Sequence, residues 1–120
     1  MAVILDLIID QGTTVDETVF PPLHLENDDH TPFDLTNYGV RGKVRSSYSS
    51  PTALASFAFD VSAAAGIIQP LLTAAQTAVF PRNRDVVYDV EIYLMEGDVE
   101  KVKRVVQGVM SVDPESTRGA

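Results

Sequence analysis

Val86, Tyr88, Val90, Ile92 and Leu94 fall at every second position of the stretch Arg84-Asp85-Val86-Val87-Tyr88-Asp89-Val90-Glu91-Ile92-Tyr93-Leu94. Such strict alternation, rich in β-branched and aromatic side chains, has the period of a strand with one buried face. It predicts a core row made of those five residues. Everything earlier in the chain must supply partners for that row. Glu96-Gly97-Asp98 reads as a hairpin turn, and residues 99–112 as the returning strand. On the return, Val102, Arg104, Val106, Gly108 and Met110 share one face, and Lys101, Lys103, Val105, Gln107 and Val109 the other. The period blurs at Val105-Val106, which predicts a bulge or a strand covered on both sides.

The remaining chain reads as short strands between turn signals. Residues 3–10 are strongly apolar, with Val3, Leu5, Leu7 and Ile9 on one face and Ile4, Asp6, Ile8 and Asp10 on the other. Apolar residues on both faces predict a strand covered twice or set against a neighbouring subunit. Residues 13–20 read as a second strand, stopped by Pro21-Pro22, with an edge strand resuming at residues 23–25. Residues 38–45 alternate Val40, Gly42 and Val44 with Arg41, Lys43 and Arg45. Residues 52–61 predict one continuous strand with Ala53, Ala55, Phe57, Phe59 and Val61 inward. Residues 67–72 predict a short strand that Pro70 confines to an edge or a bulge. Thr73 and Gln76 have the spacing of a capping box, so residues 73–78 predict one or two helical turns, plugging the mouth of a β-domain. The sum is an all-β chain of about seven strands with one short helical turn, an antiparallel β-sandwich or a partly closed barrel. Residues 1–113 form the single expected domain, and residues 114–120 a flexible tail.

Charge narrows the function classes. The net charge is −8, and every Lys and Arg lies at position 41 or later. Of the 17 acids, eight precede position 41: Asp6, Asp10, Asp16, Glu17, Glu26, Asp28, Asp29 and Asp34. The other nine face the nine bases. The chain lacks the basic footprint that nucleic-acid binding needs. The opening Met-Ala-Val-Ile-Leu-Asp has no positive leader, so no signal peptide is expected, and no apolar run approaches the ~20 residues of a membrane span. No membrane partner is expected. With 45 % hydrophobic residues and no cysteine, the core must hold without disulfides.

Candidate chemistry is sparse. Glu26, Asp28, Asp29 and His30 crowd one loop, but without the glycine-punctuated spacing of a calcium loop, so a solvated turn and no metal or other cofactor is expected. The serines of residues 46–50 sit in no nucleophile elbow, and the histidines are His24 and His30. No catalytic site is expected. The cations Arg41, Lys43 and Arg45 read as a row answered by Asp89 and Glu91 across the sheet. A carbohydrate- or ligand-binding β-module would need exposed aromatics, for which Tyr48 and Tyr93 are the candidates.

One resemblance covers nearly the whole chain. It rests on Gln11-Gly12-Thr13-Thr14 after an apolar strand, then Phe33-Asp34-Leu35-Thr36-Asn37-Tyr38 and Val40-Arg41-Gly42-Lys43-Val44-Arg45-Ser46-Ser47-Tyr48. It continues through Leu72-Thr73-Ala74-Ala75-Gln76-Thr77-Ala78, Tyr88-Asp89-Val90-Glu91-Ile92 and Gly108-Val109-Met110-Ser111-Val112 with Pro114. This order resembles small virion structural proteins of tailed phages, cyanophages included, and the N-terminal β-domains that attach tail-fibre and upper-baseplate proteins to the particle. The family's usual Gly-Arg-Tyr approach to the last hairpin is replaced here by Arg82-Asn83-Arg84-Asp85. Related domains often continue into a fibre, whereas the sequence here stops at Ala120.

The resemblance implies a non-enzymatic virion protein that acts by docking in the tail or baseplate, as an adaptor or fibre-attachment component. Capsid decoration is the alternative place, and a carbohydrate- or ligand-binding module the alternative class. The implied partners are other virion proteins or further copies of the chain. From the residues themselves, the candidate interface is the first strand and the acidic rim beside it: Ile4, Ile8, Asp6, Asp10, Asp16 and Glu17. Ile4 and Ile8 have no place in a single small core, and the uniformly acidic segment would set partner choice.

Overall fold

The structure is a computed structural model and describes residues 3–82 and 84–113. The expected tail at residues 114–120 lies outside the described residues. Two β-sheets stack face to face without closing into a barrel, an all-β sandwich whose larger sheet is mixed and whose smaller sheet is antiparallel. The strands are β1 (Val3–Ile4), β2 (Leu7–Asp10), β3 (Leu23–His24), β4 (Gly39–Arg45), β5 (Ala55–Ser56), β6 (Ala58–Ser62), β7 (Ile67–Leu71), β8 (Asp85–Glu96) and β9 (Val99–Asp113). A short helix, α1 (Ala74–Ala78), precedes β8. The larger sheet runs β1-β9-β8-β4-β5, with β2 also paired to β9; the smaller runs β3-β7-β6.

The β8–β9 hairpin is the spine. Gly97 turns it at φ 61, a conformation that favours glycine. The register slips between Val90 and Glu91, which pair with Val106 and Arg104 and leave Val105 as the extra residue of a bulge. The blurred period at Val105-Val106 thus has a physical cause: both side chains pack on the core, Val106 buried and Val105 partly so. Val86, Tyr88, Val90 and Ile92 are buried as their alternation predicts. Leu94 is only half-buried and, among the described residues, belongs to neither core cluster.

The core lies between the sheets. Tyr88 meets Phe20 and Phe57 edge-on, with ring centroids 5.4 and 6.0 Å apart. Ile9, Val44, Val106, Met110 and Val112 complete the large-sheet side, and Leu35, Ile68 and Ile92 form a second cluster.

Four local expectations change. The first strand pairs with β9 in parallel, Leu7 opposite Met110 and Ile9 opposite Val112. No hairpin ties β2 to β9, so connection length does not impose an antiparallel direction. Residues 13–20 are not a strand. The Asp16 carboxylate accepts from the Thr18 backbone and hydroxyl, and the Asp16 carbonyl accepts from Val19 and Phe20, so local turns replace the ladder; one bridge, Val15 to Leu72, remains. The strand expected over residues 52–61 changes sheets at Phe57: β5 pairs with β4, β6 with β7, and Phe57 turns into the core. Val61, expected inward, is exposed. Finally, β7 is the central strand of its sheet despite Pro70. Strand β3 pairs only with Ile67 and Ile68, so it ends before the position that lacks an N–H. Beside Pro70, the buried Gln69 amide donates to the carbonyls of Phe20 (2.9 Å) and Pro70 (2.8 Å), which anchors the 13–20 turns.

The capping box forms in full: Gln76 N–H donates to Thr73 Oγ1 at 3.1 Å, and Thr73 N–H to Gln76 Oε1 at 2.8 Å. Behind it, buried Thr77 donates to the Thr13 carbonyl and accepts from Gly12 N–H, while Gln11 donates to the Phe80 carbonyl. These bonds join α1 to the turn after β2.

Candidate interface: the free edge and outer face of the large sheet

Alternation decides which side chains leave the core on the large sheet. Since Ile9 points inward, Ile8 and Asp10 point outward. Ile4 lies opposite Gln107, whose other neighbour in register is Asp89, so Ile4 shares that outer face. Ile4 is 70 % and Ile8 69 % exposed. They stand on β1 and β2, which pair with β9 on one side only and form an edge of the sheet.

The link between β1 and β2 is fixed by specific bonds. Leu5 N–H donates to the Gln107 carbonyl at 2.9 Å. The Asp6 carboxylate accepts the Val109 N–H at 3.0 Å. The Tyr88 hydroxyl reaches from the core to donate to the Leu5 carbonyl at 2.5 Å. Burial, reinforced by Asp6 and then Tyr48, pushes that hydroxyl's pKa well up, so it stays a donor. The crossing requires Gly108, since a Cβ there would collide with the Leu5 carbonyl. Asp6, expected on a solvent-facing acidic rim, instead has a backbone partner for its carboxylate.

The acidic candidates therefore separate. Asp10 is exposed and shares the face of Ile8. Asp16 and Glu17 lie beyond β2 in the 13–20 turns, and the Asp16 carboxylate is engaged with Thr18. The same Asp-x-Thr arrangement recurs at Asp29 with Thr31 and at Asp34 with Thr36, each carboxylate accepting one backbone N–H and one hydroxyl. The hydroxyl bonds, then the backbone bonds, hold all three carboxyls below the usual Asp value of 3.8. Much of the acidic N-terminal third thus shapes its own turns.

Further along the outer face, the expected charge rows form in part. Arg41 sits opposite Glu91, with Nε 2.7 Å from its carboxylate, and Nη2 is 2.8 Å from Glu100. Its guanidinium lies 4.7 Å from the centre of the Tyr93 ring. The Glu100 and Glu91 bonds raise the Arg41 pKa, so its charge is permanent. Lys43 lies opposite Asp89 in register, but the ion pair of Asp89 is with Arg104, at 3.4 Å. Arg45 donates to the Ser50 carbonyl at 3.1 Å.

Between these side chains lies an open cavity of about 350 Å³, lined by Lys43, Arg45, Tyr48, Asp89, Arg104 and Gln107 among others. Tyr48 leans over it from the β4–β5 loop, 57 % exposed, its hydroxyl 3.4 Å from the Gly108 carbonyl. Burial raises the Asp89 pKa against the opposing pull of Arg104. Tyr48 is visible in the sequence as a candidate binding aromatic, whereas the cavity is not. Arg104 and Gln107 join it across the bulge at Val105, which shifts Arg104 onto the outer face.

In the 26–32 loop, His30 Nδ1 is 3.7 Å from Glu26 and Asp29 bonds Thr31. Among the described residues, no three His, Asp or Glu side chains are grouped to hold a metal ion. No described helix is long and apolar enough to cross a membrane. No protein-family model matches the chain, and no curated protein matches it either.

Proposed function

We propose that this protein is a non-enzymatic structural component of a tailed-phage virion, an adaptor or fibre-attachment piece of the tail or baseplate that works by docking. The resemblance of its sequence order to such proteins supplies the class. The observation that carries the docking role is the pair Ile4 and Ile8, largely exposed on one face of an open sheet edge. Natural proteins avoid an apolar edge strand unless a neighbour covers it. Other virion proteins or further copies of the chain are the partners in this reading. Each isoleucine buried by a neighbour contributes about 1.5–3 kcal/mol. Asp10, on the same face, supplies charge that favours a basic rim on the partner.

The test is the double substitution Ile4→Ser and Ile8→Ser. Both side chains are solvated in the isolated chain, so its thermal unfolding should change little, while incorporation into particles should fall at least about tenfold. Normal incorporation of the double variant would overturn the reading. So would absence of the protein from purified virions separated into heads and tails.

A further inference from the structure

The cavity over Asp89 lies on the same outer face as the docking edge, its Gln107 opposite Ile4 in register, but its chemistry does not rest on the docking role. We propose that it binds a small hydroxylated anion, an acidic sugar of the uronic-acid class. In a chain of net charge −8, this cavity gathers Lys43, Arg45 and Arg104 around one carboxylate. Arg104 neutralises Asp89, and the nearby Glu91 is taken by Arg41. Among the described residues neither Lys43 nor Arg45 forms an ion pair: Arg45 donates to a backbone carbonyl and acts on Asp89 only at longer range. Two positive charges are thus left for a ligand's acid group. Arg45 is already held in place by its bond to Ser50, so ordering it costs little on binding.

A bare carboxylate or phosphate does not suit the whole site. Asp89 lines the cavity with its side chain 28 % exposed, and its carboxylate oxygens call for hydrogen-bond donors that a bare anion lacks. Sugar hydroxyls are such donors, and the Gln107 amide, whose Oε1 accepts from Arg104 at 3.0 Å, offers its Nε2 donors beside them. Tyr48 presents an exposed ring over the opening, a flat apolar surface for the C–H face of a pyranose. A volume near 350 Å³ lies at the small end of ligand cavities, about 300–1,000 Å³. Acid group, hydroxyls and a flat apolar face together define a sugar acid.

The experiment follows backbone amide shifts of the full chain at low salt while glucuronate, glucose or acetate is added. Glucuronate should saturate at concentrations on the order of 10 mM or below, with shifts centred on Tyr48, Asp89 and Gln107. Glucose, which lacks the acid, and acetate, which lacks the hydroxyls, should each bind at least about tenfold more weakly. Lys43→Gln and Tyr48→Ala, both at exposed positions, should each weaken glucuronate at least about tenfold and leave thermal unfolding unchanged. Equal binding of acetate and glucuronate would reduce the site to simple anion attraction and overturn the proposal. Absence of saturable shifts, or shifts mapping outside the cavity, would overturn it too. An oligouronate binding more tightly than the monomer at the same residues assigns the sugar to a polysaccharide, and equal affinity assigns it to the free acid; both support the site.

Discussion

In its inner half the β8–β9 hairpin sets Val86, Tyr88 and Val90 opposite Met110, Gly108 and Val106, and all six are buried. In its outer half Ile92 and Leu94 face Lys103 and Lys101, and only Ile92 is fully covered, by Leu35 and Ile68. One alternating pattern runs through both halves. The difference comes from the opposite layer: the strands of the small sheet span five residues at most, while β8 spans 12. Alternation states which face turns inward, and the length of the covering sheet states how far burial extends. Past that limit the ribbon relies on charged contacts: on the outer face Arg41 bridges Glu91 and Glu100 beside Tyr93, and on the inward face, beyond the small sheet, Lys101 pairs with Glu96 at 3.0 Å.

The largest expected contrast compares truncations in the two halves. Tyr88→Ala removes a ring packed on Phe20 and Phe57 and leaves the Leu5 carbonyl without its donor. It should cost about 3–5 kcal/mol. Against a typical total of about 5–15 kcal/mol, that leaves a marginal fold. Leu94→Ala should cost about 1 kcal/mol or less, since its side chain is already half in water. Chemical denaturation of both variants checks the pair, and equal losses would show that the small sheet covers more of β8 than the structure indicates.

A smaller effect sharpens the same contrast. Arg41→Ala removes two partly exposed ion pairs and a ring contact, worth about 0.5–1 kcal/mol together after solvent screening. In ~1 M salt, where the screening length falls to ~3 Å, that difference should shrink, while the Tyr88→Ala loss should not. A salt-independent Arg41→Ala loss would mean that packing against Tyr93, and not charge, holds the outer half.

The sandwich was legible because alternation and turn residues are local signals. The row from Val86 to Ile92, the Thr73–Gln76 box and the blurred period at Val105 each correspond to a feature of the fold. What the sequence hid depends on distance. Nothing near Leu7 states that β2 runs parallel to β9, and nothing near Phe57 states that the chain changes sheets there. Residues 13–20 have strand-like composition, yet the Asp16 bonds with Thr18 favour a turn. The outward direction of Ile4 and Ile8 was readable from alternation, but the use of Asp6 as an acceptor was not, since Val109 is remote in sequence. The cavity required the bulge that turns Arg104 outward; the blurred period marks the bulge but not that it sets Arg104 beside Tyr48 and Asp89.

The smallest expected effect separates two kinds of carboxylate by pH. Asp16, Asp29 and Asp34 have pKa values held below 3.8 by hydrogen bonds. A depressed folded pKa contributes stability above the unfolded value, and that stability disappears as pH falls through the folded one. Asp89, on the outward side of the hairpin, is raised instead, chiefly by burial. Its contribution has the opposite sign: it is present below the unfolded value and lost as pH rises through the folded pKa, above 3.8. On acidification from neutral pH, stability should therefore rise slightly while Asp89 takes up its proton. It should fall once the three turn carboxylates begin to protonate below 3.8. Melting temperatures across this range test both limbs. Asp89→Asn should flatten the upper limb and leave the lower one, and Asp29→Asn should soften the lower limb alone. If Asp89→Asn leaves the upper limb unchanged, burial at the cavity does not govern that carboxylate, and the difference between the partly covered hairpin face and the solvated turns is smaller than the geometry implies.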